Sequence, residues 1–136
     1  MIVFACIAPH GGLVFEQLEA PTRKGMEELG RRFAAAEPEA SIVLTPHGTT
    51  IDGHFAVVRS IELDGDAAQW TDEDSRYKGP GDPELADACI EALQDDGLPA
   101  LGITFGATVA HASTFPLDWG AAIPLYFMRA PAVVVS

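Results

Sequence analysis

The feature that most constrains this sequence is a repeated pattern in which an apolar, β-branched run ends in a Pro-His-Gly turn. The first run covers residues 2–8 and leads to His10, and the second covers residues 41–45 and leads to His47. Between them, apolar residues recur at helical spacing from Thr22 onward. Apolar runs without alternation are typical of strands covered on both faces, and the order strand, helix, strand predicts a βαβ unit with two parallel strands.

The rest of the chain continues the alternation of strands and helices. The predicted elements are a strand over residues 54–61, a turn or hairpin tip at Asp64-Gly65-Asp66, a surface loop over residues 66–82, a helix from Asp82 to Gly97, and strands over residues 101–105 and 131–136. The second helix is the best delimited, because an N-capping Asp and a Pro open it and a Gly ends it. We therefore predict an α/β fold with a mainly parallel central sheet and flanking helices.

Composition narrows the class of protein. A chain of 136 residues that is 48% hydrophobic is long enough for one domain with its own core. Its net charge of −12, with only eight Lys and Arg, argues against nucleic acids or anionic membranes as partners. No run approaches the ~20 apolar residues needed to span a bilayer, and the N-terminal run lacks the basic region of a secretory signal. The sequence predicts a cytoplasmic protein.

The C-terminal run bears on the extent of the domain. We interpret residues 1–136 as a single metal-binding domain, and because the apolar run Val133–Val135 has no following helix to cover it, we expect this to be the N-terminal half of a larger domain. The alternative is that Val133–Val135 is a terminal strand of a small sheet. A homo-oligomer is compatible with either interpretation.

The two Pro-His-Gly turns predict a divalent-metal site. Carboxyl ends of neighbouring parallel strands meet at one edge of a sheet, so His10 and His47 are expected to approach the same ion. Each histidine alone has an ordinary structural interpretation, which applies best to His54. His111 lies in a loop expected to return to the same edge, where it is a candidate acid–base group.

Two imidazoles need a further ligand to hold a catalytic ion. A carboxylate would complete a facial triad of the kind that holds non-haem Fe(II) and leaves positions open for substrate and O2. Glu16, Asp52 and Asp118 are the carboxylates near these turns, and each can equally be a solvated loop residue. The third ligand therefore stays open.

Three motifs in order resemble the LigB superfamily of class III extradiol ring-cleavage dioxygenases. They are Ile7-Ala8-Pro9-His10-Gly11-Gly12, Thr45-Pro46-His47-Gly48, and the segment from Leu117 through Asp118 and Trp119 to Leu125. The resemblance implies an α/β protein in which His10 and His47 match the two iron-ligating histidines. It also implies Fe(II), with zinc or manganese as alternatives, and a small catecholic substrate together with O2.

The sequence departs from that family at two points. The later glutamate ligand and the Ser-His pair associated with the catalytic base have no counterpart here, which fits the expectation of a missing half. Where many relatives carry a histidine beside the substrate, this chain has Trp119. Gly12, Asp118 and Trp119 are the residues expected next to the substrate, and His111 is the remaining acid–base candidate.

Three functions follow from this pattern. The first is Fe(II)-dependent extradiol cleavage of a catecholic ring, with O2 incorporated into the product. The second is a LigB-like binding or regulatory module without dioxygenase activity, which the missing glutamate and Trp119 would permit. The third is a metal-dependent hydrolase, in which a zinc-like ion on the same two histidines activates water.

Overall fold

The structure is a computed structural model that describes residues 1–16, 20–66, 75–107 and 109–136, without the side chain of Glu16. In the described residues the elements follow one another as α1 (Leu13–Glu16), α2 (Pro21–Ala35), β1 (Ser41–Leu44), β2 (Phe55–Val58), β3 (Glu62–Asp66), β4 (Arg76–Pro80), α3 (Pro83–Asp95), β5 (Ala100–Ile103), β6 (Thr114–Pro116), α4 (Trp119–Phe127) and β7 (Ala132–Val135). This is a mixed α/β fold, as predicted. No helix in the described part is both long and apolar enough to cross a membrane.

The central sheet has the strand order β1-β7-β2-β5. β1 runs parallel to β7 and β2 parallel to β5, while β7 and β2 meet antiparallel at Val57 and Val135. All four residues of β7 are buried, as expected for an apolar strand between two layers. The α3 helix covers one face of β7 and β2, and β3, β4 and α4 pack on the other. The predicted strands at residues 41–45, 54–61, 101–105 and 131–136 are confirmed, with shorter bounds.

The prediction that residues 2–8 form the first strand is wrong. The structure has no strand in this segment, and β1 pairs with β7 instead. Phe4 packs edge-on against Phe33 of α2, and Cys6 Sγ lies 3.8 Å from Met128 Sδ. Phe4 and Cys6 therefore contact α2 and the residue after α4, whereas Ile2, Val3 and Ile7 stay largely exposed. His10 and His47 do not follow two paired strands of one βαβ unit.

A second, three-stranded sheet has the order β4-β3-β6. It corrects two predictions. Asp64-Gly65-Asp66 is the end of β3 rather than a turn or hairpin tip, and residues 76–80 of the predicted loop form β4. Residues 67–74 of that loop lie outside the described part. Charge pairing between strands accounts for the difference. Arg76 bonds both carboxylate oxygens of Asp64, and Lys78 lies 3.1 Å from Glu62. Such cross-strand pairs stabilise a sheet that turn-forming residues would otherwise weaken.

α3 and α4 begin at aspartate caps, whereas α2 begins after Ala20, which makes no side-chain capping hydrogen bond. α2 and α3 confirm the two predicted helices, and the Asp82 carboxylate accepts a hydrogen bond of 2.9 Å from the Leu85 N–H, as a capping residue should. α4 was not predicted. It is apolar on all sides and has Pro124 inside it, so it shows neither amphipathic spacing nor an uninterrupted run of helix formers.

Candidate metal centre

His47 is positioned by a turn that is anchored to the body of the protein. It lies three residues after the end of β1, and its backbone N–H donates a 3.2 Å hydrogen bond to Oγ1 of the buried Thr45. Thr45 in turn donates to Oδ1 of Asp118 at 3.1 Å. Gly48 lies against Ser136 so closely that a Cβ at this glycine would sit 2.6 Å from the Ser136 side chain. The turn therefore needs a glycine after the histidine.

His10 is positioned by the helix that follows it. The carbonyl groups of Gly11 and Gly12 accept hydrogen bonds from the N–H groups of Val14 and Phe15, which start α1. Both of those side chains are buried. The predicted substrate contact at Gly12 is therefore a turn residue whose carbonyl belongs to the helix start.

The structure brings the two histidines together. The Nε2 atoms of His10 and His47 lie 3.0 Å apart, and their ring centroids lie 5.0 Å apart with an angle of 64° between the planes. His10 is half-buried and His47 exposed. The pair therefore faces solvent on one side.

Two chemical states fit this geometry. In one, a neutral imidazole donates its N–H to the bare nitrogen of the other. In the other, both nitrogens bind one ion. Two nitrogens 3.0 Å apart, each about 2.1 Å from the ion, subtend an angle of about 90° there. That is the angle between adjacent ligands of an octahedral ion and is narrower than a tetrahedral angle, so the pair fits two positions of a facial triad.

A third protein ligand does not join the pair among the described residues, where no group of three His, Cys, Asp or Glu side chains could hold an ion. Asp118 uses Oδ1 to bond Thr45 and to accept from the Ala121 N–H at 3.2 Å. Asp52 is exposed, and its backbone carbonyl accepts from the His54 ring at 2.9 Å. The side chain of Glu16 lies outside the described part.

The third motif reaches the histidine pair through α4. Asp118 caps this helix, so the following residue, Trp119, is held beside His47, with ring centroids 4.8 Å apart and planes tilted by 35°. Trp119 keeps 39% of its surface exposed. A Cβ on Gly120 would lie 2.5 Å from Thr45 Oγ1 and 3.0 Å from His47 Cδ2. Asp118 is thus a positioning residue, and Trp119 forms one wall of the site.

His111 is placed elsewhere. It lies in a short 3-10 turn, Ala110–Ala112, before β6, whereas Trp119 follows that strand. A strand rises about 3.3 Å per residue, so the two side chains are at opposite ends of the β6 segment. A hydrogen bond from the Ile61 N–H to the Ala110 carbonyl ties the turn to the residue before β3. The structure does not bring His111 to the histidine pair.

His10 and His47 do not line the cavity that lies between β3, β4 and β6. A cavity of about 410 Å³ is lined by residues of β3, β4 and β6, together with Phe105 and Leu117. Leu117 directly precedes the capping Asp118. The two histidine side chains themselves are at the surface, since His10 is half-buried and His47 exposed.

Sequence reasoning missed Thr45 and Gly120 as site residues. A threonine two residues before a histidine is a pattern in which a hydroxyl accepts the backbone N–H, so Thr45 was within reach of sequence analysis. Gly120 carries no such local pattern. Its role depends on the close approach of the turn that contains Thr45, which is distant in the sequence: Thr45 and its hydrogen-bond partner Asp118 are 73 residues apart.

Comparison with known proteins places these motifs in context. Residues 6–136 match the family described as the catalytic LigB subunit of aromatic ring-opening dioxygenase. The chain is also similar to Protein CA_C1420 of Clostridium acetobutylicum, with 24% identity over 123 residues. That alignment covers 90% of this chain and 26% of the relative, so the chain spans about a quarter of the relative's length.

Proposed function

The chain belongs to the LigB family of aromatic ring-opening dioxygenase catalytic subunits, and from this premise we propose that it forms part of an extradiol dioxygenase that binds Fe(II) through His10 and His47. The observation that carries the proposal is the 3.0 Å separation of the two Nε2 atoms, which suits adjacent ligands of one ion. The proposed substrates are a small catecholic ring and O2.

A bound ferrous ion would supply open positions for the diol and O2 and a path for electron density between them. The protein's own residues hold and shape the site. Thr45 and Asp118 fix the His47 turn relative to α4, so the ligand nitrogen has a defined position. The Trp119 indole offers a face on which a flat ring can stack and an N–H that can donate, but it cannot shuttle a proton as imidazole does.

Because of Trp119, the proposed reaction needs a proton acceptor other than the residue at this position. His111 lies at the opposite end of β6 from Trp119, so it is too far away to accept this proton in the described structure. The acceptor would then be a second ionised oxygen of the substrate, water, or a group supplied by residues outside the described part. This requirement separates the proposed enzyme from relatives with a histidine at the corresponding position.

The metal claim is tested by anaerobic Fe(II) titration of the full-length chain. We expect about one ion per chain, and loss of at least tenfold in affinity in His10→Ala and in His47→Ala. His54→Ala is the matched control, because His54 is exposed and its ring bonds the nearby Asp52 carbonyl at 2.9 Å rather than the histidine pair. Unchanged iron content in the first two variants would disprove the proposed ligands.

The catalytic claim has a separate readout. The iron-loaded chain is mixed with a panel of catechols, and O2 consumption is followed together with absorbance of the ring-opened product. Turnover lost in His47→Ala and retained in His54→Ala supports the dioxygenase. Iron bound through His10 and His47 without turnover of any catechol would instead favour a LigB-like binding module, and zinc-dependent ester or amide cleavage would favour a hydrolase.

A further inference from the structure

A second cavity lies at the other end of α4 from Trp119. It has a volume of about 250 Å³ and is formed by β4 and by the turn between α4 and β7; its lining residues are Tyr77, Lys78, Gly79, Pro80, Arg129, Ala130 and Pro131. α4 has nine residues, which at 1.5 Å per residue separates its ends by about 13 Å. The cavity is therefore distinct from the histidine pair, and its walls are mostly apolar.

Arg129 brings a positioned cation to this cavity. Its Cζ lies 5.4 Å from the centroid of the Tyr126 ring and 5.9 Å from that of Tyr77, and its Nε–H donates to the Tyr126 carbonyl at 3.3 Å. Two aromatic faces and one hydrogen bond hold the guanidinium in place. Among the described residues no carboxylate pairs with it, so the N–H donors on its two terminal nitrogens are left for a ligand.

Tyr77 brings a donor that lacks an acceptor. Its side chain is 1% exposed, and within the described part of the chain its hydroxyl has no hydrogen-bond partner. The hydroxyl lies against Gly79, where a Cβ would overlap it. Burial raises the pKa of the Tyr77 phenol, so it keeps its proton at neutral pH. A buried O–H without a partner costs free energy that a bound acceptor would recover.

The other cation at the cavity is already neutralised. Lys78 also lines the cavity, but its Nζ lies 3.1 Å from Glu62 Oε1, so its charge is paired. The site thus offers one guanidinium and one phenol against apolar surfaces. A small, highly charged inorganic anion would leave those surfaces uncovered, whereas a flat organic acid would satisfy both the donors and the walls.

We propose that this cavity is a binding site for a small aromatic carboxylate, whose carboxylate accepts from the Arg129 guanidinium and the Tyr77 hydroxyl while its ring packs against Pro80 and Pro131. The site is independent of the histidine pair and of its metal. It gives an acidic protein, with a net charge of −12, one place where an organic anion is favoured.

The test uses benzoate as the probe, titrated into metal-free, isotope-labelled full-length chain, with the backbone amide signals of Gly79 and Ala130 followed by NMR. We expect saturable shifts at both amides. Arg129→Gln should weaken benzoate binding about tenfold or more, and Tyr77→Phe should weaken it severalfold, since each removes hydrogen bonds to a charged acceptor. Arg31→Gln is the matched control: Arg31 is also exposed but lies on α2 and pairs with Glu28.

Two further titrations test whether the cavity is independent of the histidine pair and whether it prefers an organic anion to an inorganic one. His10→Ala should bind benzoate as the unmodified chain does, because the cavity is separate from the histidine pair. Inorganic phosphate should bind at least tenfold more weakly than benzoate. The proposal is overturned if the Gly79 and Ala130 signals do not respond, if Arg129→Gln binds benzoate unchanged, or if phosphate binds as well as benzoate does.

Discussion

The close approach of Gly120 to the His47 turn predicts that glycine-to-alanine substitutions at two helical positions have opposite effects on stability. Gly25 and Gly120 both lie in helices, α2 and α4, and alanine is normally the better helix residue by about 0.8–1.0 kcal/mol. At Gly25 a Cβ would meet no heavy atom within 4 Å. Gly25→Ala should therefore raise the free energy of unfolding by up to about 1 kcal/mol.

Gly120→Ala should have the opposite sign. A Cβ there would lie 2.5 Å from Thr45 Oγ1, 2.7 Å from Asp118 Oδ1 and 3.0 Å from His47 Cδ2, all closer than normal van der Waals contact. Gly120 is buried and in the first turn of α4, so its helix-propensity gain is small and the turn must shift. Overpacking of this kind costs about 1–3 kcal/mol. The free energies of unfolding of the two variants should therefore differ by about 2–4 kcal/mol, with Gly25→Ala more stable and Gly120→Ala less stable than the unmodified chain.

Urea denaturation followed by circular dichroism measures both free energies under identical conditions. Anaerobic Fe(II) titration of the same samples measures the second consequence, because displacement of His47 should weaken iron binding in Gly120→Ala and leave it unchanged in Gly25→Ala. If Gly120→Ala were as stable as Gly25→Ala and bound iron equally well, the described approach of α4 to the His47 turn would be wrong.

Two further predictions concern the capping network and pH. Asp118→Ala removes the cap of α4 and the acceptor for Thr45, and should lower the free energy of unfolding by about 2 kcal/mol. Thr45→Val keeps the cap and should lower it by about half as much. Equal losses in urea denaturation would contradict this. The pKa of Glu28 is lowered to about 2 by hydrogen bonds from Arg31 and Arg32, so its stabilising contribution is present above its ordinary value of 4.5 and is lost as the pH falls towards 2. The unfolding free energy should fall more over this pH window in the unmodified chain than in Glu28→Gln, and parallel pH profiles would refute the assignment.

The parts of the fold that could be predicted are those set by local chemistry. α3 has an aspartate whose side chain caps it, a proline at its first position and Gly97 after it, where φ is +77°. These residues act within one turn of the helix, so the sequence contains the whole signal. β7 was predictable for the same reason, since four consecutive apolar residues suit a strand covered on both faces.

The missed elements depend on contacts between distant segments. Residues 2–8 have the composition of a buried strand, but β1 pairs only with β7 in the described sheet, and the segment packs Phe4 against Phe33 of α2 instead of pairing with the other edge of β1. β3 and β4 are held by Asp64–Arg76 and Glu62–Lys78 pairs, which are visible only once the register is known. Local turn propensity at Asp64-Gly65-Asp66 was the weaker effect.

The candidate site was predicted in part, by reasoning that was incomplete. His10 and His47 do approach each other, although they do not follow two paired strands as expected. Their turns were recognisable because Pro and Gly around a histidine restrict the backbone locally. The position of Trp119 beside His47 and the distance of His111 depend on where α4 and β6 pack, which local sequence does not specify.

The Trp119 indole, tilted by 35° beside His47, also gives the site an intrinsic fluorescent probe. Tryptophan fluorescence is quenched by a paramagnetic ion close to the ring, and the Trp119 and His47 ring centroids are 4.8 Å apart. The chain has only two tryptophans, so a Trp70→Phe background would leave Trp119 as the single emitter. Occupancy of the histidine pair could then be followed in real time, without an added dye, in the same cuvette in which ring opening is assayed.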